Sequence, residues 1–295
     1  MSRSHGHAAE AARKIKGRSR PQAGDTEANQ SLTRREAEDI EERSTPRTPV
    51  IYEIVRRQGD EEMARPFVSL WWSGVAAGMS ISFSLLASAI LQVHLPDAPW
   101  RLLITGLGYP VGFVMVVMSR KQLFTETTVT AVLPVIAKFN AGSLTRLARM
   151  WAIVFTANFA GTLFAALFST FTPVLETALH NRMLDLSRHL IGYNLYEMFF
   201  RGIAAGFLIA AMVWLIPSAE AAQFFVIVLM TYLIATGGFV HIVAGSMSAF
   251  LLVFNGEASW LWALAQFTLP VLLGNIVGGT ALFALIAYAQ IMKEI

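Results

Sequence analysis

The sequence has no cysteine, and only 15% of its 295 residues are charged, whereas 55% are hydrophobic. The absence of cysteine excludes disulfide bonds. The chain also lacks the metal-binding pattern His-Glu-x-x-His, the Gly-Lys pair of a phosphate-binding loop and the Gly-x-Ser-x-Gly turn of a nucleophilic serine. With a mean hydropathy of +0.51, the chain is too apolar for an ordinary soluble domain. The composition predicts an all-α integral membrane protein that is not an enzyme and has no cofactor, bound metal or nucleic-acid partner.

The positive charge is concentrated near the N-terminus, since 13 of the 23 lysines and arginines lie in residues 1–66. Residues 1–48 have almost no aromatic or branched apolar side chains, so this segment is expected to be a disordered tail. Residues 49–65 are expected to form an amphipathic helix at the membrane surface. Because basic segments stay on the cytoplasmic side, we expect a multi-pass protein of the inner (plasma) membrane with both termini cytoplasmic.

Long runs without charge predict six membrane-spanning segments. They cover residues 66–96, 102–137, 150–175, 191–217, 221–254 and 258–292. The second and fifth segments are expected to be broken. Residues 221–256 contain no charge, and at ~1.5 Å per residue one straight helix of this length would exceed a hydrocarbon layer of ~30 Å.

His241 lies in the middle of the fifth segment. Glycines flank it on both sides, at Gly237, Gly238 and Gly245. They favour an unwound elbow between two half-helices, which would place the histidine near the middle of the membrane. The second segment is expected to have its own elbow at residues 119–125, where two adjacent cations interrupt the apolar run.

The two halves of the chain resemble each other. Gly-Val-Ala-Ala-Gly at 74–78 matches Gly-Ile-Ala-Ala-Gly at 202–206, and Asn158 and Asn275 lie in similar surroundings 117 residues apart. Either the halves are related repeats, or the small residues recur only because they let helices approach closely.

The same offset of 117 residues pairs Phe124 with His241 and sets the two elbows opposite each other. Related repeats would each contain three segments with the middle one broken, at residues 66–175 and 191–292, joined by a connecting segment at 176–190. An odd number of spans in each half inverts the second copy in the membrane, and a substrate site is expected between the broken helices.

Three motifs in this order resemble the formate/nitrite transporter family over about residues 66–290. They are Leu-Phe-Thr at 123–125, Gly-Phe-Val-His at 238–241 and Gly-Asn-Ile-Val-Gly-Gly at 274–279. The resemblance implies an aquaporin-like protomer of six helices in a 3+3 inverted repeat, and a homopentamer in the lipid bilayer with one pore per subunit. It also implies passage of small monovalent anions of the formate, nitrite or hydrosulfide type, or of their conjugate acids together with a proton.

The pore residues that the resemblance implies surround a central polar pair, His241 and Thr125. Tyr109 and Phe113 would form the inner constriction. Leu123 and Phe124 would belong to the first elbow, and Ile234 would form the outer constriction. Tyr109 and Ile234 stand where relatives commonly have phenylalanine, which leaves the identity of the substrate open.

Three cations are expected near the mouth of the implied pore, where they would concentrate anions. Arg149 stands where the family has a vestibule lysine, although it is also typical of a side chain that reaches from a helix end to the membrane interface. Arg120 and Lys121 precede the Leu-Phe-Thr motif, where relatives usually have small residues and an acid. These two cations either point to the cytoplasmic vestibule or pair with Glu126.

The polar candidates each have a second interpretation. His241 is either a pore residue with a transferable proton or a structural hydrogen bonder. Thr125 either faces the pore or caps the half-helix that follows it. Asn158 and Asn275 either hold the elbow loops or bind helices together. Two other functions also stay open. One is a neutral-solute channel of the aquaporin type, although paired Asn-Pro-Ala elbows are absent, and the other is a family member that does not transport.

Overall fold

The computed structural model describes residues 46–293, and within this range every regular element is a helix. The predicted disordered tail lies outside the described residues up to position 45. The amphipathic helix α1 (Thr48–Ala64) comes first. The helices that follow are α2 (Phe67–His94), α3 (Arg101–Met118), α4 (Phe124–Ala137), α5 (Ala141–Phe171), α6 (Thr177–Ser187), α7 (Leu195–Ser218), α8 (Gln223–Thr236), α9 (Ile242–Phe254) and α10 (Trp262–Ile291).

Five of these helices, α2, α3, α5, α7 and α10, are long and apolar enough to cross a membrane. The other apolar helices, α4, α8 and α9, have only 10–17 residues. They are short because the chain is interrupted within the second and fifth predicted segments. The all-helical membrane architecture and the two interruptions agree with the sequence analysis.

The third predicted segment, 150–175, corresponds to helix α5, which begins earlier, at Ala141, and ends earlier, at Phe171. The helix begins here because Asn140 and Ser143 cap its N-terminus with reciprocal hydrogen bonds. In one of them, Ser143 N–H donates to Asn140 Oδ1 at 2.9 Å. Arg149 therefore lies within the helix, two turns after its first residue.

The first elbow begins with a tight helix end after α3. Lys121 N–H donates to Val116 O at 3.0 Å, and Arg120 between them has a positive φ of 52°. A bond from the sixth residue back to the first, with a left-handed residue just before the donor, is the Schellman ending of a helix.

The second elbow repeats this ending after α8. Phe239 N–H donates to Ile234 O at 3.0 Å, and Gly238 has a φ of 63°. Glycine adopts this conformation without steric cost, so this elbow was visible in the sequence. The first elbow uses an arginine in the same place.

The elbows align with an offset of 118 residues, so His241 corresponds to the residue before Phe124. The pairing of Phe124 with His241 through the offset of 117 is therefore wrong by one residue. The first half has one more residue between its elbow and its asparagine. Phe124 N–H bonds to Asn158, 34 residues further on, whereas Ile242 N–H bonds to Asn275, 33 residues further on.

Helix α1 packs along α4 beside the first elbow. Its buried residues repeat every three to four positions, at Ile51, Tyr52, Val55, Gly59 and Met63. A Cβ at Gly59 would lie 1.8 Å from Thr130 O, so only glycine permits this approach. Glu62 accepts hydrogen bonds from Thr130 Oγ1 at 2.7 Å and from Gln122 Nε2 at 3.3 Å. The apolar face predicted to lie on the membrane surface is instead buried against protein.

Candidate functional site

His241 is the N-cap residue of α9 and joins the two elbows. Its Nδ1 accepts a hydrogen bond from Ala244 N–H at 3.1 Å, and its Nε2 lies 2.7 Å from Thr125 Oγ1. The side chains are almost inaccessible, with His241 exposed by 1% and Thr125 by 0%. Thr125 is at the start of α4, so the contact joins the N-terminal ends of both short helices.

These partners define the tautomer of His241. A backbone N–H can only donate, so Nδ1 carries no proton, and in the neutral ring the proton lies on Nε2 and is donated to Thr125 Oγ1. Adding a proton at Nδ1 would remove the cap of α9. The geometry therefore favours a neutral histidine that acts as a hydrogen-bond donor.

Thr125 does not cap α4. The N-cap residue is Leu123, which has no polar side-chain atom, and no side-chain hydrogen bond caps this helix. The Thr125 hydroxyl group bonds to His241 instead. The capping interpretation of Thr125 is wrong because helix α4 begins two residues earlier than that role requires.

Asn158 and Asn275 hold the two elbows through equivalent sets of three hydrogen bonds. Asn158 Oδ1 accepts from Phe124 N–H at 2.9 Å, and its Nδ2 donates to Gly74 O at 2.8 Å and to Gln122 O at 2.9 Å.

In the second half, Asn275 Oδ1 accepts from Ile242 N–H at 2.9 Å, and its Nδ2 donates to Gly202 O at 2.9 Å and to Val240 O at 3.0 Å. Both asparagines are fully buried. Each one holds an elbow loop and also bonds to the glycine of the repeated Gly-x-Ala-Ala-Gly motif on a neighbouring helix, so both interpretations of the asparagines agree with the contacts.

Aromatic rings lie near the polar pair. The ring of Phe113 meets the His241 ring edge to face, with 5.0 Å between centroids, and Tyr109 lies 5.2 Å beyond Phe113. Phe124 packs edge to face against Phe155 of α5, at 5.3 Å. Phe113 therefore places apolar surface directly against His241.

A cavity of about 380 Å³ reaches His241 from one side of the molecule. Of the predicted pore residues, only Tyr109 and His241 line it. Its other polar lining residues are hydroxyl-bearing or titratable side chains, among them Ser84, Ser88, Ser248, Asp185, His189 and Tyr193. The other apolar residues of the predicted pore are buried behind the cavity wall: Phe113, Leu123, Phe124 and Ile234. The carbonyl group of Ile234 accepts the hydrogen bond that ends α8 at the second elbow.

None of the three predicted cations contacts the polar pair. Lys121 Nζ donates to Ser80 Oγ of α2 at 2.7 Å, and Arg120 is exposed on the first elbow. Arg149 is exposed on α5, with a long bond of 3.5 Å from Nη1 to Arg65 O. Within residues 46–293, no group of three metal-ligating side chains is present.

Arg201 is a further residue of the second elbow, and no sequence motif pointed to it. Arg201 Nη1 donates to Gly238 O at 2.9 Å, and its guanidinium group lies 4.2 Å above the centroid of the Tyr193 ring. Ser73 holds the equivalent position in the first half, where its Oγ accepts from Gln122 N–H at 3.0 Å. Aligning the repeated glycine motifs at 74 and 202 would have paired these two residues.

A model of the family described as "Formate/nitrite transporter" matches residues 49–289 of this chain. The chain is 43% identical to "Inner membrane protein YfdC" of Escherichia coli K12 over 254 residues, which cover 86% of this chain and 82% of that protein. It is 29% identical to "Formate channel FocA" of Haemophilus influenzae over 241 residues, which cover 73% of this chain and 84% of that protein.

Two solved structures share the fold. "Pentameric formate channel with formate bound" has a TM-score of 0.67 at 22% identity and covers 77% of this chain and 98% of its own. "FNT family ion channel" has a TM-score of 0.71 at 20% identity and covers 81% and 98%. The family model extends from α1 to α10 and includes both elbows. The chain therefore belongs to the formate/nitrite transporter family, a family of transport channels rather than enzymes.

Proposed function

We propose that this protein is a channel for small monovalent anions of the formate, nitrite or hydrosulfide type and their conjugate acids, with one pore per protomer that passes His241 and Thr125. The contact between these two side chains, where the N-termini of α4 and α9 meet, is the observation that carries the proposal. The names of the H. influenzae relative and of the solved pentameric channel support the choice of substrate.

The site can offset the free energy that an anion loses when it leaves water for an apolar constriction. A bare anion in an apolar constriction pays several kcal/mol of desolvation, whereas a neutral weak acid of the same size pays little. Helix N-termini carry partial positive charge and free N–H groups, which attract an anion. His241 offers a hydrogen bond from Nε2, so the anion can displace Thr125 as its acceptor. Transient protonation then lets a nearly neutral species cross the apolar wall.

The proposed architecture is an aquaporin-like protomer with six spans in a 3+3 inverted repeat, assembled as a homopentamer in the lipid bilayer of the inner membrane. α3 with α4 and α8 with α9 would be the two broken spans. The regions are the tail 1–48, the helical segment 49–65, the repeats 66–175 and 191–292, and the connecting segment 176–190. Both termini are assigned to the cytoplasm. The equivalent hydrogen bonds of Asn158 and Asn275 support the repeat.

With both termini in the cytoplasm, the inner and outer constrictions exchange places relative to the sequence-based prediction. The cavity opens toward the connecting segment, whose residues Asp185 and His189 line it, and this segment would lie outside. Tyr109 and Phe113 therefore belong to the outer constriction, and Leu123 and Phe124 to the inner one. Ile234 does not line the cavity, so its proposed role is to support the second elbow.

The cations are assigned to the inner mouth. Arg120, Lys121 and Arg149 lie on the elbow and helix that adjoin α1, which would be cytoplasmic. Since none is paired with a carboxylate within the described residues, their charge remains available to concentrate anions.

A neutral-solute channel is the second candidate, because hydroxyl groups of Ser84, Ser88 and Ser248 line the cavity beside His241. Hydroxyl groups both donate and accept hydrogen bonds, so they can bind neutral polyols as well as anions. The test is uptake into proteoliposomes of formate, nitrite, hydrosulfide and glycerol. Uptake of the anions but not of glycerol is expected. Glycerol uptake without anion uptake would favour the second candidate, and no uptake of any solute would indicate a protein that has lost transport.

A further inference from the structure

We propose that His189 is a second proton-exchange site of the channel, which gives a proton to the permeating acid or takes one from it at the outer end of the cavity. This inference rests on the proposed function, since it concerns the proton that accompanies the anion. It assigns that proton to a residue other than the central histidine.

His189 and His241 line the same cavity from different elements. His189 belongs to the short helical turn Arg188–Leu190 that follows α6, and its side chain is solvent-exposed, whereas His241 is exposed by only 1%. One imidazole is therefore at the rim and the other is in the buried wall. Only the imidazole at the rim exchanges protons directly with water.

The two rings have opposite tautomers. His189 Nδ1 bonds to Leu186 O, and because a carbonyl group can only accept, the proton lies on Nδ1. Nε2 keeps its lone pair and has no hydrogen-bond partner among residues 46–293. In His241, Nδ1 already accepts from Ala244 N–H. Protonation of His241 at Nδ1 therefore removes the cap of α9, whereas protonation of His189 at Nε2 breaks no hydrogen bond.

The groups that face His189 favour a small anion next to it. The Tyr193 ring meets the His189 ring edge to face, with 5.8 Å between centroids, and the guanidinium group of Arg201 lies over that tyrosine ring. Helix α9, which packs against the turn at 188–190, has no titratable residue. Tyr109 and His241 are the other titratable groups on the deeper wall.

Asp185 is the one carboxylate that lines the cavity within the described residues. It is paired with Arg182 at 3.1 Å and with Arg188, and Arg188 also binds Glu257 at 2.6 Å. The negative charge is therefore compensated. Partial loss of hydration lowers the pKa of His189, Arg201 acts in the same direction, and the bond to Leu186 O opposes both. A lowered pKa makes the protonated ring a readier donor.

The proton transfer balances without any other reactant. For inward movement, the anion enters the cavity and takes the Nε2 proton of protonated His189. The products are the neutral acid and a neutral imidazole, which regains a proton from external water. Outward movement reverses these steps, so the acid leaves its proton on His189 and departs as the anion.

The test compares His189→Asn with the matched control His180→Gln in proteoliposomes. Asparagine retains a donor for Leu186 O but does not titrate. His180 lies on the same connecting segment, 3.1 Å from Asn255 Oδ1, and does not line the cavity. Initial formate uptake is measured at external pH values from about 5 to about 8, around the usual pKa of histidine. The wild-type rate is divided by the variant rate at each pH, which cancels the ionisation of formate itself.

The wild-type to His189→Asn ratio is expected to be about three to ten at the acid end and to fall to about one at the alkaline end. The gain is smaller than the hundredfold typical of general acid catalysis, because bulk water also supplies protons. If the wild-type to His189→Asn ratio does not change with pH, or if it equals the wild-type to His180→Gln ratio at every pH, the proposal is overturned and the channel function stays intact. If wild-type protein takes up no formate, the channel function fails and this proposal fails with it. Should His189→Asn not assemble, the same ratio is measured with His189→Gln.

Discussion

Arg120 and Gly238 occupy equivalent positions in the two elbows, with φ angles of 52° and 63°. A residue with a Cβ pays about 1–2 kcal/mol for the left-handed conformation, and glycine pays none of this. The first elbow therefore holds backbone strain that the second elbow avoids. The arginine that causes the strain is exposed at the proposed inner mouth.

Replacing Arg120 with glycine is expected to stabilise the protein. The relief of strain is partly offset by about 0.5–1 kcal/mol, because glycine gives the unfolded chain more freedom. A net gain of up to about 1 kcal/mol should appear as a higher apparent unfolding temperature of the detergent-solubilised protein. Arg120→Ala is the control, since it removes the charge and keeps the strain. If both variants unfold at the same temperature, the strain does not exist.

The asparagines should be equally important in both halves. Asn158→Ala and Asn275→Ala each remove three hydrogen bonds from buried backbone groups. At about 1–3 kcal/mol for each unsatisfied group, both variants should lose most of the assembled protein, as measured by size-exclusion chromatography. Asn255→Ala, at a partly exposed asparagine, should assemble normally. A large difference between Asn158→Ala and Asn275→Ala would argue against two equivalent elbows.

Thr125→Val should leave the Nε2–H group of His241 without an acceptor. Valine has nearly the same shape, so the loss is that of one buried hydrogen bond, about 1–3 kcal/mol. Formate uptake should fall together with the apparent unfolding temperature, because the contact with Thr125 holds the His241 ring in place until an anion displaces it. Thr125→Ser retains the hydroxyl group and should restore both. Full activity of Thr125→Val would show that the contact at 2.7 Å is not needed.

The docking of α1 should depend on pH through Glu62. Burial raises the pKa of this carboxyl group, against the hydrogen bond from Thr130. A carboxyl group whose pKa is higher in the folded protein stabilises the fold fully at pH values below its pKa in the unfolded chain, about 4.3. That contribution is lost as the pH rises through the pKa of the folded protein. After correction for the chemical effect of pH on exchange, hydrogen exchange of α1 should therefore become faster as the pH rises from about 4.3.

Glu62→Gln should remove that extra pH dependence. Glu53→Gln is the control on the same helix, because hydrogen bonds from Arg56 and Arg57 lower the pKa of Glu53 to about 2. Its contribution is lost only as the pH falls below about 4.3. A wild-type protein whose α1 exchanges in the same way as the Glu62→Gln variant would contradict this account.

The sequence predicted the helical class, the two interruptions and the role of the asparagines, because each leaves a local signal. Charge-free runs reveal spans, and Gly237 with Gly238 reveals a helix end. The first elbow gave a weaker signal, since Arg120 does not favour a left-handed conformation and only its charge marked a break. The offset was wrong by one residue because the asparagine motif alone does not reveal an extra residue between the elbow and the asparagine.

The site was predicted less completely than the fold. The Thr125 and His241 pairing followed from the family motifs, but the tautomer of His241 depends on Ala244 N–H, a backbone contact that no pattern of side chains reveals. Arg201 and Ser84 were missed for a similar reason. Ser84 Oγ is buried beside the cavity without a partner in the described part of the chain, and serines in apolar helices are too common to single one out.

The requirement for the imidazole of His241 is tested most directly by His241→Asn. Asparagine is a good N-cap, so the variant should keep the bond from Ala244 N–H and assemble like the wild type, but it has no imidazole to offer the substrate. Initial formate uptake in proteoliposomes is predicted to fall at least about tenfold, the equivalent of about 1.4 kcal/mol. Uptake at the wild-type rate, with the wild-type dependence on pH, would contradict a pore that passes this histidine.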